Sequence, residues 1–215
     1  MNTTCNLADA LQGKKLLVFD FDGTVADTSP LHAAAFAEVL APLGIVVDYS
    51  SIAGLKTLDA IRQCLNGAGR ILDEAALARL VSAKQHSVRQ MICEELQPLP
   101  GVDAFLRWAR RHYKLAMVTS GSRGTVSLAL KKLGYSEWFD PLICADEVQH
   151  AKPDPEGFLS VIRVTATPIS EVLIFEDSEV GVLAAKNAGI EYFQVKPPYF
   201  FLSCGVAFIE DNQYE

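Results

Sequence analysis

The chain has 215 residues, half of them hydrophobic, and a formal net charge of -7. That size and composition allow one domain, or one domain carrying an insert, and exclude a disordered chain. The acidic balance argues against broad nucleic-acid binding and leaves no basic face for an anionic membrane.

The N-terminal MNTTCNLADALQGKK lacks a cationic start followed by an apolar block, so no secretory signal is expected. Cys5, Cys64, Cys93, Cys144 and Cys204 are scattered and never form a CxxC. They fit reduced thiols in a cytoplasmic protein. Leu16-Leu17-Val18-Phe19 is too short and too apolar for a surface helix and predicts a buried, parallel strand. It ends in Asp20-Phe21-Asp22-Gly23-Thr24, which puts Asp20 at the carboxyl end of the strand, where open α/β sheets place their ligands. In extended backbone Asp20 and Asp22 aim at one point, and Gly23 permits the turn away from it. Two carboxylates crowded there call for a divalent cation; by itself, however, the stretch reads first as a strand followed by an acidic turn, since Asp-Gly is a common turn pair.

Ser29-Pro30 predicts a helix start, with serine as N-cap, and the helix runs through LHAAAFAEVLAPLG to Gly44. A second helix is expected from Thr57 or Asp59 to Gly67 or Gly69, and a third from Asp73-Glu74 through Leu96, before Pro98, Pro100 and Gly101. From there strands and helices alternate. VDAFLRWARRH is a helix, Lys114 to Thr119 a strand, and RGTVSLALKKLG a helix after a Ser120-Gly121-Ser122 turn. Leu142 to Ala145, Val172 to Asp177 and Tyr192 to Val195 are strands, separated by helices PEGFLSVIRVT and EVGVLAAKNAG. The pattern is that of an α/β protein with a doubly wound parallel sheet, a Rossmann-like core. An all-helical segment interrupts it after the first strand, giving a core of 1–27 and 98–215 and a small helical cap domain of 28–97. No apolar run reaches membrane-spanning length; Tyr199 to Ile209 is the longest near the end and is too short.

Three further strand ends bear chemistry. Thr119-Ser120-Gly121-Ser122 offers a hydroxyl and amides to an oxyanion, although such clusters also serve as plain helix N-caps. Lys152 lies between Ala151 and Pro153-Asp154-Pro155, so its ammonium is presented with little freedom to a phosphate or to Asp20. His150 is taken as a surface or packing residue. Glu176-Asp177 ends another apolar strand and completes an oxygen-rich site of the kind Mg²⁺ prefers.

This ordered set resembles the haloacid dehalogenase superfamily, with DFDGT at 20–24 similar to its first motif, Thr119 to its second, Lys152 to its third and Glu176-Asp177 to its fourth. The helical insert resembles the cap of its first subclass. The match runs from about Lys15 to Val195 and fades beyond. The resemblance implies a phosphatase in which Asp20 is the nucleophile and forms an aspartyl-phosphate. It implies that Asp22 is the general acid/base, its main-chain carbonyl also touching Mg²⁺. Asp20 and Asp177 would bind the metal with Glu176 as helper, and Thr119, the Ser120 amide and Lys152 would hold the phosphoryl oxygens. A dehalogenase is disfavoured, since that branch works without metal and lacks the second acid seen as Asp22.

Within the superfamily, TSPLH, GLKTLDAI and HAKPDP resemble small sugar-phosphate phosphatases and beta-phosphoglucomutase. His32 matches a mutase histidine that helps set the acid/base aspartate, and Lys84 falls where the mutase cap contacts the substrate phosphate. On the residues alone, His32 reads equally as a hinge hydrogen-bonder and Lys84 as solvent-facing. Where mutases carry a cap arginine, this chain has Thr57 with Lys56 beside it, and a point-charge lysine does not replace a bidentate arginine. The expectation is therefore a monomeric Mg²⁺-dependent phosphatase of a small phosphorylated metabolite, a sugar phosphate. A phosphosugar mutase is the alternative. A phosphoacceptor resembling a response-regulator receiver would need neither the insert nor Asp22, and a silent binding protein would not need all four motifs.

Overall fold

The computed structural model of the protein describes residues 7–53 and 55–196; the expectations for Cys5, Gly54, Cys204 and the stretch from Tyr199 to Ile209 lie outside them. The chain divides into two compact units, Met1–Asp27 with Gln97–Glu215, and Thr28–Leu96.

The first unit begins with a short helix that sequence reasoning did not expect, α1 (Leu7–Ala10). Its sheet consists of β1 (Leu16–Phe19), β2 (Lys114–Val118), β3 (Leu142–Ile143), β4 (Val172–Glu176) and β5 (Tyr192–Gln194). All pairings are parallel and the order is β3-β2-β1-β4-β5. The chain thus winds outward from β1 to β3, then returns to the other side of β1. The switch in winding direction lies between β1 and β4, where doubly wound sheets open their binding crevice.

Leu16, Val18, Ala116, Val118, Val172 and Ile174 form one apolar face of the sheet, packed with Phe158, Val161, Ala184 and Ala185. These last four come from α7 (Glu156–Thr165) and α8 (Glu179–Ala188). On the opposite face Phe19 stacks on Phe175 at 4.7 Å between ring centres. Phe105 of α5 (Val102–His112) meets both rings edge-on, and Phe139 meets Phe19. α6 (Arg123–Leu133) follows β2 and ends at Gly134, whose φ of 78° is the left-handed cap that glycine supplies without strain. Both faces being covered explains why β1 and β4 are uninterrupted apolar runs and not alternating ones.

The second unit is all helix: α2 (Ser29–Leu40), α3 (Thr57–Gly67) and α4 (Glu74–Glu95), with short 3-10 turns at Ala41–Leu43 and Tyr49–Ser51. It carries its own core of Phe36, Leu40, Ile45, Ile52, Ala60, Ile61, Leu65 and Leu77. The N-cap of α2 is Thr28 and not Ser29; Ser29 is already helical. β3 stops at Ile143 because Ala145 opens a 3-10 turn (Ala145–Glu147), fixed by the Glu147 carboxylate accepting the Cys144 amide at 2.9 Å. Among the described residues, no helix is long and apolar enough to cross a membrane.

Candidate active site

Parallel pairing carries the ends of β1, β2 and β4 out at one level, with Phe19 opposite both Met117 and Phe175. Asp20 follows β1 and donates its amide to the Phe175 carbonyl at 2.9 Å, so its backbone is still held as strand. Alternation then ends. The Phe21 carbonyl accepts the amides of Thr24, Val25 and Ala26, a turn that takes Asp22 out of the strand repeat. The carboxylates that gather are consequently Asp20, Glu176 and Asp177, with ligand atoms all within 4.8 Å of one another, and Asp22 is not in that group.

Lys152 joins them. Its Nζ donates to Asp20 Oδ1 at 2.6 Å and to Glu176 Oε1 at 2.7 Å. All three side chains are buried. The other Glu176 oxygen accepts the Ser178 amide at 2.8 Å and the Ser178 hydroxyl at 3.0 Å. Thr24, fully buried, donates its hydroxyl to Asp177 Oδ1 at 3.4 Å. Gly23 beside it has φ 79°, and a Cβ there would lie 2.1 Å from Asp177 Oδ2. Glycine is thus required twice over at that point, by conformation and by space.

Thr119, Ser120 and Lys152 line one cleft. The Thr119 hydroxyl accepts the Gly121 amide at 3.0 Å, which leaves its own proton free to point at an oxyanion. The loops that bear these groups are tied together. The Ala145 amide donates to the Gly121 carbonyl at 3.0 Å, and the Arg123 amide to Asp146 at 3.0 Å. The Arg123 guanidinium pairs with Glu147. Glu156, at the start of α7, accepts the amides of Gln149 and His150 at 2.8 and 2.9 Å, pinning the approach to Lys152. His150 is exposed and pairs only with Glu156 among the described ion pairs. Sequence reasoning missed Arg123, Glu147, Glu156 and Ser178. Arg123, Glu147 and Glu156 act across a gap in the chain or through a loop, so no local pattern flags them; Ser178, two residues beyond Glu176, carries only the local signal of a helix N-cap.

Charge in the site is unbalanced. Burial pushes the Asp20 carboxyl up to about 8, Lys152 opposes that, and Glu176 and Asp22 add to it. Burial likewise raises Asp177, to about 6, with Glu176 contributing. Burial works against the Lys152 charge, but Asp20 and Glu176 outweigh it and hold its pKa above the ordinary lysine value. Three crowded carboxylates against one ammonium leave excess negative charge, and an all-oxygen donor set fits a hard divalent cation that would return Asp20 and Asp177 to the ionised form.

Of the residues singled out in the second unit, Lys84 and His32 lie together, with Lys84 Nζ 2.9 Å from His32 Nδ1 and 4.4 Å from the centre of the Phe36 ring. Lys84 is 2 % exposed, which overturns the solvent-facing reading. Lys56 is exposed and forms the N-cap of α3.

Comparison with known proteins agrees with this geometry. A sequence model of haloacid dehalogenase-like hydrolases matches residues 17–195. The chain is 34 % identical over 186 residues to the fructose-1-phosphate phosphatase YqaB of Escherichia coli strain K12, covering 84 % of this chain and 95 % of that one. It is 32 % identical over 180 residues to a phosphorylated carbohydrates phosphatase of Thermotoga maritima, covering 81 % of this chain and 82 % of the other. A crystal structure of a putative beta-phosphoglucomutase from Thermotoga maritima superposes with a TM-score of 0.72 at 26 % identity, covering 89 % of this chain and 91 % of that one. The phosphatases of this family are generally metal-dependent, in keeping with the carboxylate group at 20, 176 and 177. The chain belongs to the haloacid dehalogenase-like hydrolase family, among its phosphatases.

Proposed function

We propose that this phosphatase hydrolyses a small phosphorylated metabolite, a sugar phosphate, with Mg²⁺ as its metal and Asp20 as its nucleophile. The observation that carries the reading is the buried Lys152 ammonium, 2.6 Å from Asp20 and 2.7 Å from Glu176, at a cluster of three carboxylates. An ionised Asp20 needs no base to attack phosphorus, but its charge has to be masked from an anionic substrate. Lys152 supplies part of that mask; Asp20 and Asp177, with Glu176 beside them and the Asp22 carbonyl as a further oxygen, would hold Mg²⁺, which would supply the rest and polarise the phosphoryl oxygens. Thr119 and the Ser120 amide hold the remaining phosphoryl oxygens.

In the first step an Asp20 oxygen bonds to phosphorus, the bond from phosphorus to the sugar oxygen breaks, and Asp22 gives that oxygen its proton. In the second step Asp22 takes a proton from water, the water oxygen bonds to phosphorus, and Asp20 is released with orthophosphate. The names of the relatives, a fructose-1-phosphate phosphatase and a phosphorylated carbohydrates phosphatase, support the substrate class. Free thiols at Cys64, Cys93 and Cys144 support a cytoplasmic setting, and we expect a monomer.

Asp20→Asn tests the assignment. Phosphate release from a panel of sugar phosphates is expected to fall to background while circular dichroism and melting stay those of a folded protein; near-normal turnover would refute Asp20 as nucleophile. Chelation of the wild-type enzyme should abolish release and added Mg²⁺ restore it, and activity that survives chelation would remove the metal. Isomerisation of glucose 1-phosphate in place of hydrolysis would move the chain to the mutases, which the Thr57 position argues against.

A further inference from the structure

Gly181 is the third residue of α8, an ordinary helical position at which glycine is disfavoured relative to alanine. Space explains it. A Cβ on Gly181 would lie 1.6 Å from Glu176 Oε1 and 2.0 Å from the carboxyl carbon. The Gly181 amide donates to the Ser178 hydroxyl oxygen at 3.0 Å, and that hydroxyl donates to Glu176 Oε2 at 3.0 Å. The Ser178 amide donates to the same oxygen at 2.8 Å. Ser178 is the N-cap of α8, so a feature that ends a loop also grips the last residue of β4.

We infer that Ser178 and Gly181 are positioning residues of the site: they seat the Glu176 carboxylate so that its other oxygen holds Lys152 against Asp20. The inference rests on the reading that Asp20 and Lys152 act on the phosphoryl group. Glu176 has a flexible side chain, and an unseated carboxylate would leave the buried Lys152 without one of its two partners. With two donors on one oxygen and a gap over the other, a single placement of the carboxylate remains, and Lys152 is delivered with it. Small displacements of such groups act strongly on rate because the reacting atoms tolerate little misalignment.

The test uses the full chain and compares Gly181→Ala, Ser178→Ala and Ser178→Thr, together with Gly181→Ala in a Glu176→Ala background. Gly181→Ala is expected to lower kcat/KM by about 100-fold and to weaken inhibition by orthophosphate, since Lys152 is no longer held. It should also lower the melting midpoint. In the Glu176→Ala background the same substitution should raise the midpoint, because the obstructing carboxylate is gone and alanine is the better helix former. Ser178→Ala should weaken orthophosphate inhibition and Ser178→Thr, which keeps the hydroxyl, should restore it; a serine that only caps the helix would alter melting and leave inhibition alone. The inference is overturned if Gly181→Ala raises the midpoint with Glu176 present, or if orthophosphate inhibition stays within about twofold in both Gly181→Ala and Ser178→Ala. Should Gly181→Ala not fold, the pair Ser178→Ala and Ser178→Thr decides alone. Failure of the reading in which Asp20 attacks the phosphoryl group looks different: Asp20→Asn would retain turnover while the reversal of sign at Gly181 remained.

Discussion

Lys84 sits in the interior of the second unit against an imidazole and an aromatic ring, and among the described residues none of the ion pairs includes it. Burial lowers its pKa from 10.5 to about 8. Burial also lowers His32, from 6.5 to about 4, and the Lys84 charge adds to that. The two shifts act on stability in defined windows. For Lys84 the unfolded chain binds the proton more tightly than the folded one, so the penalty is complete below pH 8 and fades as pH rises toward 10.5. For His32 the unfolded chain protonates near 6.5 and the folded one only near 4, so stability falls as pH drops through that interval. At neutral pH a charged, buried Lys84 therefore works against the fold by on the order of 1–3 kcal/mol, offset in part by its hydrogen bond and ring contact. Lys84→Met keeps the volume and removes the charge. The expected outcome is a gain of about 1 kcal/mol, read as a higher melting midpoint at pH 7. A lower midpoint would mean that the contacts to His32 and Phe36 outweigh desolvation. Kinetics on the same variant separate the roles: a fall in kcat/KM alongside the gain marks a lysine kept for the reaction, and an unchanged kcat/KM removes it.

Elements whose causes are local are the ones that sequence discloses. β1 and β4 are uninterrupted apolar runs ending in acids, and α4 begins after Asp73, whose carboxylate accepts the Ala76 amide at 2.6 Å. Asp73→Ala is expected to cost about 1 kcal/mol, measured by denaturant unfolding, with Asp73→Asn retaining most of it; equal losses for both would show that the side-chain cap is not the cause. Legibility falls where the decisive partner is remote. Thr28 in place of Ser29 is a shift of one residue at a helix end, where caps and φ/ψ decide and composition does not. β3 is shorter than its apolar run because Glu147 turns the chain at Cys144. Asp22 leaves the strand repeat because three amides converge on one carbonyl at Phe21. In the site, Asp20, Thr119, Lys152, Glu176 and Asp177 can each be named from a strand or loop end. The approach of Lys152 to Asp20 is offered by the sequence as well; that Lys152 is shared with Glu176 and that Arg123 ties two loops through Glu147 follow only from the folded pairing, each across 24 residues.

At the scale of the molecule, the chain leaves the sheet unit after Asp27 and returns at Gln97. Within the sheet unit the two crossing points are already joined: Ala26 forms an antiparallel bridge with Pro98, and the Leu99 amide donates to the Val25 carbonyl at 2.9 Å. Bridged residues have Cα atoms about 5 Å apart, a gap that a few residues span. Each unit also carries its own buried cluster, one around Val18 and Ile174, the other around Leu40 and Ile61. The three gathered carboxylates, Lys152 and Thr119 all belong to the sheet unit. Replacement of residues 28–96 by a short Gly-Ser linker is therefore expected to leave a chain that melts cooperatively, because no apolar residue of the sheet cluster is removed and the linker closes a junction already held by backbone hydrogen bonds. If the carboxylates at 20, 176 and 177 hold the metal as proposed, addition of Mg²⁺ should raise its melting midpoint, since all three remain and binding to the folded state alone stabilises it. A linker variant without a cooperative transition would show that the helical unit is part of the folding core and not an insert upon it. A variant that melts cooperatively yet gains nothing from Mg²⁺ would show that the carboxylates at 20, 176 and 177 do not suffice to hold the metal.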